Sequence, residues 1–410
     1  MKKQYRRIIS FLMMLIICLG TGLSVFAENE QNGAAEYHGT ESIPTSVSED
    51  YTGADTQEFT VSAKAAYLCE ATSGRIIFSQ NEDEHLIPAS VTKVMTLLLV
   101  MEAIEAGNLP LDTKVSVSAY AASMGGSQVF LKEGEELTLE EMLKCAVIAS
   151  ANDASVALAE FVAGSENAFV ARMNERAKEL GMENTNFENV TGLDDTTENH
   201  YTSAEDIAIM SRELLKHKKI TEYSSLWQDS IRDGQFVLTN TNRLVRFYSG
   251  CDGLKTGSTA KAGYCVSATA ERDGMRLIAV VMGADTRDER NKIARELLDY
   301  GFSGYALYTS PESSGGSVAV RGGVKDCCLL IKNGFSVVVP RADKDKVEVK
   351  YTVDEYVTSP VKKGDKLGKA EYFIGETKLG ESDIVAAEDV LRMEFSEMWL
   401  RMLRRVISGK

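Results

Sequence analysis

Apolar positions change period several times along the chain, and each change predicts a different kind of element. Residues 65–69 and 75–78 are short apolar runs separated by Ser73-Gly74, which predicts a β-hairpin. After Pro88, the positions Val91, Val94, Met95, Leu97, Leu98, Leu99, Val100 and Met101 make a helix apolar nearly all round, the pattern of a helix buried at the centre of a domain. Helical period returns over 139–148, from about 154 to 163, over 167–180 with Gly181 as its stop, and over 203–216. Strand-like runs follow at 251–256, 264–270 and 275–282, and a helix over 288–300 closes the block. A hairpin, a block of helices, then strands and a last helix predict an α+β domain whose early and late strands share one antiparallel sheet.

From about Ser313 the texture becomes strand-like. Val347, Val349, Tyr351 and Val353 alternate with Glu348, Lys350 and Thr352, and Gly322-Gly323, Asn333-Gly334 and Gly364-Asp365 are turn signals. This predicts a separate small all-β sandwich over 308–387. The final stretch, 388–410, regains helical period. Leu391, Phe395, Met398, Trp399, Met402, Leu403 and Val406 share one face, and from Leu391 onward five cations stand against two acids. A basic amphipathic helix of this kind suits the membrane surface, and it is too charged to span a bilayer. A face packed on the β domain or on a second chain is the alternative.

At the other end, Lys2, Lys3, Arg6 and Arg7 precede an apolar run from Ile8 to Leu19, and Val25-Phe26-Ala27 offers a cleavage site. Residues 1–27 therefore read as a signal peptide. Residues 28–58 hold Glu, Asp, Ser, Thr and Gly with no Lys or Arg, and read as an acidic disordered linker. The catalytic candidate spans 59–307. The formal net charge of −15 disfavours nucleic acid as a partner, and losing the signal peptide makes the chain more acidic still. The six remaining cysteines are scattered rather than framework-spaced, and the four histidines do not cluster with them at metal-ligand spacing. Cys145 reads as core, Cys327 and Cys328 as opposite faces of a strand, and Cys251 and Cys265 as residues able to approach one another.

Three short motifs carry chemistry. Ser90-Val91-Thr92-Lys93 places a hydroxyl at the start of the buried helix and a lysine one turn later on the same face. A lysine desolvated there loses its preference for the charged form, and a neutral amine beside a hydroxyl is a general base. A lysine that snorkels to the surface is the competing reading. Ser150-Ala151-Asn152 falls in the loop after the second helix, where polar residues can equally cap the next one. Lys255-Thr256-Gly257 lies on a strand, with Lys255 and Gly257 on one face, and the glycine admits close approach of a backbone or ligand. Each motif is weak alone. In this order, on helix start, inter-helix loop and strand, they form the triple of penicillin-binding proteins and class A β-lactamases.

The chain resembles the D-alanyl-D-alanine carboxypeptidases among the low-molecular-mass penicillin-binding proteins. The resemblance spans roughly residues 62 to 305. It includes Ile87-Pro88-Ala89-Ser90-Val91-Thr92-Lys93, Gly126-Ser127-Gln128-Val129-Phe130, Asn152-Asp153-Ala154, Asn189-Val190-Thr191-Gly192-Leu193, His200-Tyr201-Thr202-Ser203-Ala204, Lys255-Thr256-Gly257-Ser258 and Lys261-Ala262-Gly263-Tyr264. It implies a penicillin-binding, β-lactamase-like transpeptidase fold and removal of the terminal D-alanine from peptidoglycan stem peptides through an acyl-enzyme, with no cofactor and no metal. Ser90 is then the nucleophile and Lys93 its base. Ser150 relays a proton to the leaving amine, and Asn152 holds the substrate amide. Lys255 and Thr256 grip the terminal carboxylate. The N–H groups of Ser90 and Ser258 form the oxyanion hole beside Gly257. Arg290 assists with the carboxylate, with Arg287 close enough to compete for that role. Ala151 stands where the family commonly has glycine, and His200 is assigned a structural role.

Two rival readings share these motifs. A class A β-lactamase needs a glutamate to activate the deacylating water, and Glu188 lies in the right region. Its neighbours Phe187-Glu188-Asn189-Val190-Thr191-Gly192 follow the carboxypeptidase pattern instead. A non-catalytic β-lactam or peptidoglycan sensor would keep the fold without turnover. The partners implied are the stem peptide, β-lactams as covalent inhibitors, and the membrane surface, in an exported protein on the outer face of the cytoplasmic membrane or in the cell wall.

Overall fold

The computed structural model describes residues 60–195 and 197–408; the proposed signal peptide and the whole of the proposed linker lie outside them. The predicted hairpin forms β1 (Ala65–Glu70) and β2 (Ile76–Gln80), and the late strands form β3 (Cys251–Thr259), β4 (Gly263–Arg272) and β5 (Met275–Ala284). They pair into one five-stranded antiparallel sheet in the order β2-β1-β5-β4-β3, so β3 is an edge. Every residue of β1 is buried, because both faces of the sheet are covered. Ala65, Tyr67 and Cys69 face the helical block, while Ala66 and Leu68 face α7 (Arg287–Gly304).

The helical block is α1 (Lys93–Ala103), α2 (Leu139–Ile148), α3 (Asn152–Ala163), α4 (Glu166–Glu179), α5 (Ala204–Leu214) and α6 (Lys218–Ser224). The apolar run after Pro88 becomes the central helix α1, where Val94, Met95, Leu97, Leu98, Val100 and Met101 are buried. Each such side chain contributes about 1.5–3 kcal/mol by leaving water. Thr138 and Glu141 close a capping box at the start of α2, which fixes where that helix begins. Its other end, at Ile148, delivers the Ser150 loop. A short antiparallel pair, Gln228–Ile231 with Phe236–Thr239, carries the chain from α6 towards β3; its strands, four residues each, are too brief to leave a usable period in the sequence.

The β domain contains β6 (Tyr305–Ser310), β7 (Ser313–Arg321), β8 (Cys327–Lys332), β9 (Phe335–Pro340), β10 (Glu348–Val353), β11 (Tyr356–Thr358), β12 (Lys366–Ile374) and β13 (Thr377–Ala386). Six strands order as β10-β12-β13-β8-β7-β11, and β6 pairs with β9 separately. Their own core includes Val320, Leu330, Phe335, Val337 and Tyr372. The alternation at 347–353 does not give one fully buried face. β10 is an edge strand, and Tyr351 is exposed there. Cys327 is exposed and Cys328 buried, as opposite strand faces require. Cys251 and Cys265 do not approach: the register sets Cys251 opposite Ala270 and Cys265 opposite Gly257, and the two thiols enter different cores.

Candidate active site

Ser90 sits in a 3-10 turn, Ala89–Thr92, that runs directly into α1. Two glycines clamp that turn. A Cβ on Gly257 of β3 would lie 2.8 Å from the Ser90 nitrogen and 2.7 Å from the Pro88 oxygen. A Cβ on Gly192, whose φ is +78°, would lie 1.8 Å from the Ala89 oxygen. Only glycine permits such approaches, so the backbone at Ser90 is wedged between the edge strand and the 189–193 loop.

Lys93 does not snorkel; it is fully buried. Its Nζ lies 2.9 Å from Ser90 Oγ, 2.6 Å from Asn152 Oδ1 and 2.8 Å from the Thr191 carbonyl. Burial holds its pKa well below the usual lysine value, and the charge of Lys255 adds to this; Asp153 opposes it in part. A neutral amine here donates to the two fixed acceptors, Asn152 and Thr191, and turns its lone pair to the Ser90 hydroxyl. The Thr191 carbonyl is aimed by an Asx-type turn in which Asn189 Oδ1 accepts from the Thr191 and Gly192 N–H groups. Asn152 Nδ2 donates to the Gly125 carbonyl, so this side chain is oriented by Lys93 and the 125–130 segment together.

Ser150 has φ +59°, a left-handed backbone that a non-glycine residue adopts at a cost of about 1–3 kcal/mol. That turn presents its Oγ to Lys255 Nζ at 2.7 Å. Lys255 is 1% exposed and also donates to the Thr256 carbonyl. Burial lowers its pKa to about 7, with Arg290 adding to the effect. Arg290 is buried and Arg287 exposed, so the interior guanidinium is Arg290. It donates to Asn291 Oδ1 and to the Cys265 carbonyl, and burial followed by Arg287 draws it down to about 10, still a cation at neutral pH. The Thr256 hydroxyl donates to Thr241 Oγ1 at 2.8 Å. The three motifs thus converge on one cleft, and Arg290 adds its charge behind Lys255.

Several contacts in this arrangement were not legible in the sequence. His200, expected to be a cap or core residue, bridges two parts of the site: Nδ1 accepts from the Glu188 N–H at 3.0 Å, and Nε2 therefore carries the proton to Thr92 Oγ1 at 2.8 Å. Burial lowers its pKa to about 4, although Glu188 and Asp194 pull the other way. A histidine twelve residues after that glutamate gave no local hint of the bridge. The Glu188 carboxylate accepts from the Glu198 and Asn199 N–H groups, which commits it to its own loop. Asn240 and Asn242 are buried polar residues beside the cleft whose only sequence signal was two asparagines flanking a threonine.

Comparison with known proteins identifies the family and the fold. Residues 52–286 match the family model described as D-alanyl-D-alanine carboxypeptidase, and residues 309–392 match that of the penicillin-binding protein 5 C-terminal domain. The chain is 44% identical over 350 residues to D-alanyl-D-alanine carboxypeptidase DacF of Bacillus subtilis, covering 84% of this chain and 90% of that protein. Penicillin-binding protein 5 from Haemophilus influenzae superposes with a TM-score of 0.70 at 28% identity, covering 82% of this chain and 99% of that one. Penicillin-binding protein D2 from Listeria monocytogenes, solved in an ampicillin-bound form, superposes with a TM-score of 0.55 at 31% identity, covering 60% of this chain and 100% of that one.

Proposed function

The chain belongs to the D-alanyl-D-alanine carboxypeptidase family, and on that premise we propose how its cleft removes the terminal D-alanine of peptidoglycan stem pentapeptides. It is a serine-type carboxypeptidase. Neutral Lys93 takes the proton of Ser90 Oγ as that oxygen attacks the penultimate D-alanine carbonyl. The oxyanion forms against the N–H groups of Ser90 and Ser258, with Gly257 keeping the two backbones close. The proton held by Lys93 returns through Ser150 to the leaving amine, and D-alanine departs. Water then hydrolyses the ester. Asn152 orients Lys93 and the substrate amide, while Lys255, Thr256 and Arg290 hold the terminal carboxylate. The observation that carries this reading is the fully buried Lys93 Nζ at 2.9 Å from Ser90 Oγ.

β-Lactams present a strained amide to the same serine and should acylate it, a reading supported by the ampicillin-bound relative. Ser90→Ala should abolish labelling by a fluorescent penicillin and release of D-alanine from a pentapeptide followed by mass spectrometry, with an unchanged melting temperature. A Ser90→Ala protein that still forms the adduct at the parent rate would refute the assignment. Rapid turnover of penicillin by the parent would favour the β-lactamase reading.

We further propose that residues 1–27 direct export and that the C-terminal segment 388–410, after the 59–307 and 308–387 domains, rests on the outer face of the cytoplasmic membrane. Supporting this, α8 (Phe395–Ser408) keeps Phe395, Met398, Trp399, Met402 and Val406 exposed, while Arg401 pairs with Asp326 of the β domain. No helix among the described residues is long and apolar enough to cross a membrane. Removing residues 389–410 should release active enzyme from anionic vesicles in co-sedimentation. If full-length protein also stays in the supernatant, the helix packs on protein instead.

A further inference from the structure

We propose that Thr241 is a further carboxylate-binding residue of the cleft, its hydroxyl donating to the same terminal carboxylate that Lys255 grips. The inference rests on the carboxylate-gripping reading above. It begins with the asparagines on either side. Asn240 and Asn242 are 6% and 1% exposed. Asn240 Nδ2 donates to the Ser224 and Leu226 carbonyls, at 2.9 and 2.8 Å, and its Oδ1 accepts from the Asn242 N–H at 2.9 Å. Asn242 Nδ2 donates to the Gly253 carbonyl of β3 at 2.8 Å, and its Oδ1 accepts from the Leu244 N–H at 3.1 Å. Buried amides satisfied on both sides hold the backbone between them in one conformation.

The residue so held connects the second and third motifs. The Thr241 N–H donates to the Ile148 carbonyl at 3.1 Å, where α2 ends two residues before Ser150. Its Oγ1 accepts from the Thr256 hydroxyl at 2.8 Å. Among the described residues, the Thr241 hydroxyl has no acceptor of its own. A hydroxyl that accepts from one neighbour is a stronger donor to the next, so Thr256 and Thr241 form a short chain of donors whose last member lacks an acceptor. Thr241 is half-buried while Thr256 is only 6% exposed, which makes Thr241 the hydroxyl that a ligand meets first. A carboxylate is acceptor-only. Lys255, with two of its three N–H donors used by Ser150 and Thr256, keeps a third for the same group.

The test compares a peptide ending in free D-alanyl-D-alanine with the same peptide amidated at its C-terminus. Rates are expressed per penicillin-labelled site, so misfolded molecules drop out. Thr241→Val keeps the shape and removes the hydroxyl. It should raise KM for the free acid by about tenfold, leave kcat within about twofold, and leave the amide nearly unaffected. Thr241→Ser, which restores the donor, should return the free-acid KM to within about threefold of the parent. An unchanged free-acid KM in Thr241→Val, or equal losses on both peptides, overturns the proposal. Thr256→Val and Lys255→Ala separate the two readings. If those variants lose selectively on the free acid and Thr241→Val does not, the carboxylate pocket stands without Thr241. If none is selective, the pocket reading fails and Thr241 falls with it.

Discussion

In the cleft, Lys93, Lys255 and Arg290 are 0%, 1% and 2% exposed, and none of them ion-pairs with a carboxylate among the described residues. In the β domain, Lys369 and Lys378 share Glu371 and Glu381 on the surface, at N···O distances of 2.6–3.6 Å. The surface network resembles what solvated charges do on any sheet, where water screening leaves each pair little to contribute. The cleft does the reverse. Burying cations beside neutral oxygens is unfavourable and stays so unless a proton leaves or an anion arrives. In the reaction proposed above, Lys93 meets the first condition by giving up its proton, and Lys255 and Arg290 are left for the second, which the substrate carboxylate would supply. The contrast separates charge that serves chemistry from charge that serves the surface.

The strongest way to break the contrast is Lys93→Arg. A guanidinium cannot be deprotonated there, so acylation by penicillin should fall by about a thousandfold. In the parent, the acylation rate should rise with pH through the lowered pKa of Lys93, because only the neutral amine acts as base. Stopped-flow labelling across pH measures both. Substantial acylation by the arginine variant would mean that the cleft uses charge at this position and not base catalysis.

Lys255 comes next. Lys255→Ala should lose about tenfold to a hundredfold in kcat/KM on a free-acid peptide and much less on its amide. With a pKa of about 7 in the empty cleft, Lys255 is charged below that pH and progressively neutral above it. KM for the free acid should therefore rise as pH increases past about 7, while KM for the amide stays flatter. A parallel rise for both peptides would detach Lys255 from the carboxylate.

How much of this was legible in the sequence follows from locality. Ser90 and Lys93 are one helical turn apart, so their shared face was readable from spacing. The five-stranded sheet was readable because β1 and β5 carry long apolar runs and β4 a largely apolar one. Period 2 assigns faces but not partners, so the pairing of β13 with β8, and the separation of Cys251 from Cys265, waited for the register. Asn152 read as a substrate ligand, yet its oxygen also fixes Lys93, a contact 59 residues away in sequence. Asn240, Thr241 and His200 also act through partners on other segments, and a polar residue in a loop carries no period from which to infer them.

His200 sharpens the comparison from the side of stability. Its folded pKa of about 4 lies below the ordinary 6.5, so as pH falls the unfolded chain takes up the proton first. The stabilisation is complete above about pH 6.5 and is lost between there and about pH 4, amounting to roughly 3 kcal/mol. His200→Gln removes that titration. Denaturant melts should show the parent losing stability relative to the variant across this window. Parallel curves would show that the bridge between Thr92 and Glu188 does not depend on a neutral imidazole.

The smallest effect is expected on the β-domain surface. Lys378 lies between Glu371 and Glu381, and Lys369 remains beside both when it is removed. Hydrogen bonds from Lys369 and Lys378 hold Glu371 down to about 2, on a sheet surface where water and salt compete with both lysines. Lys378→Met keeps the aliphatic stem on the sheet and removes only the charge. The melting temperature should move by less than about 2 °C at 0.15 M salt, and D-alanine release should be unchanged. Whatever the network does contribute belongs to the ionised carboxylate: it is present above the unfolded glutamate value of about 4.3 and lost as pH falls towards 2. A large drop in melting temperature that persists at high salt would mean that the surface pairs act as a packed unit. The division between a cleft that leaves its cations without anions and a surface that pairs them without consequence would then fail at its weaker half.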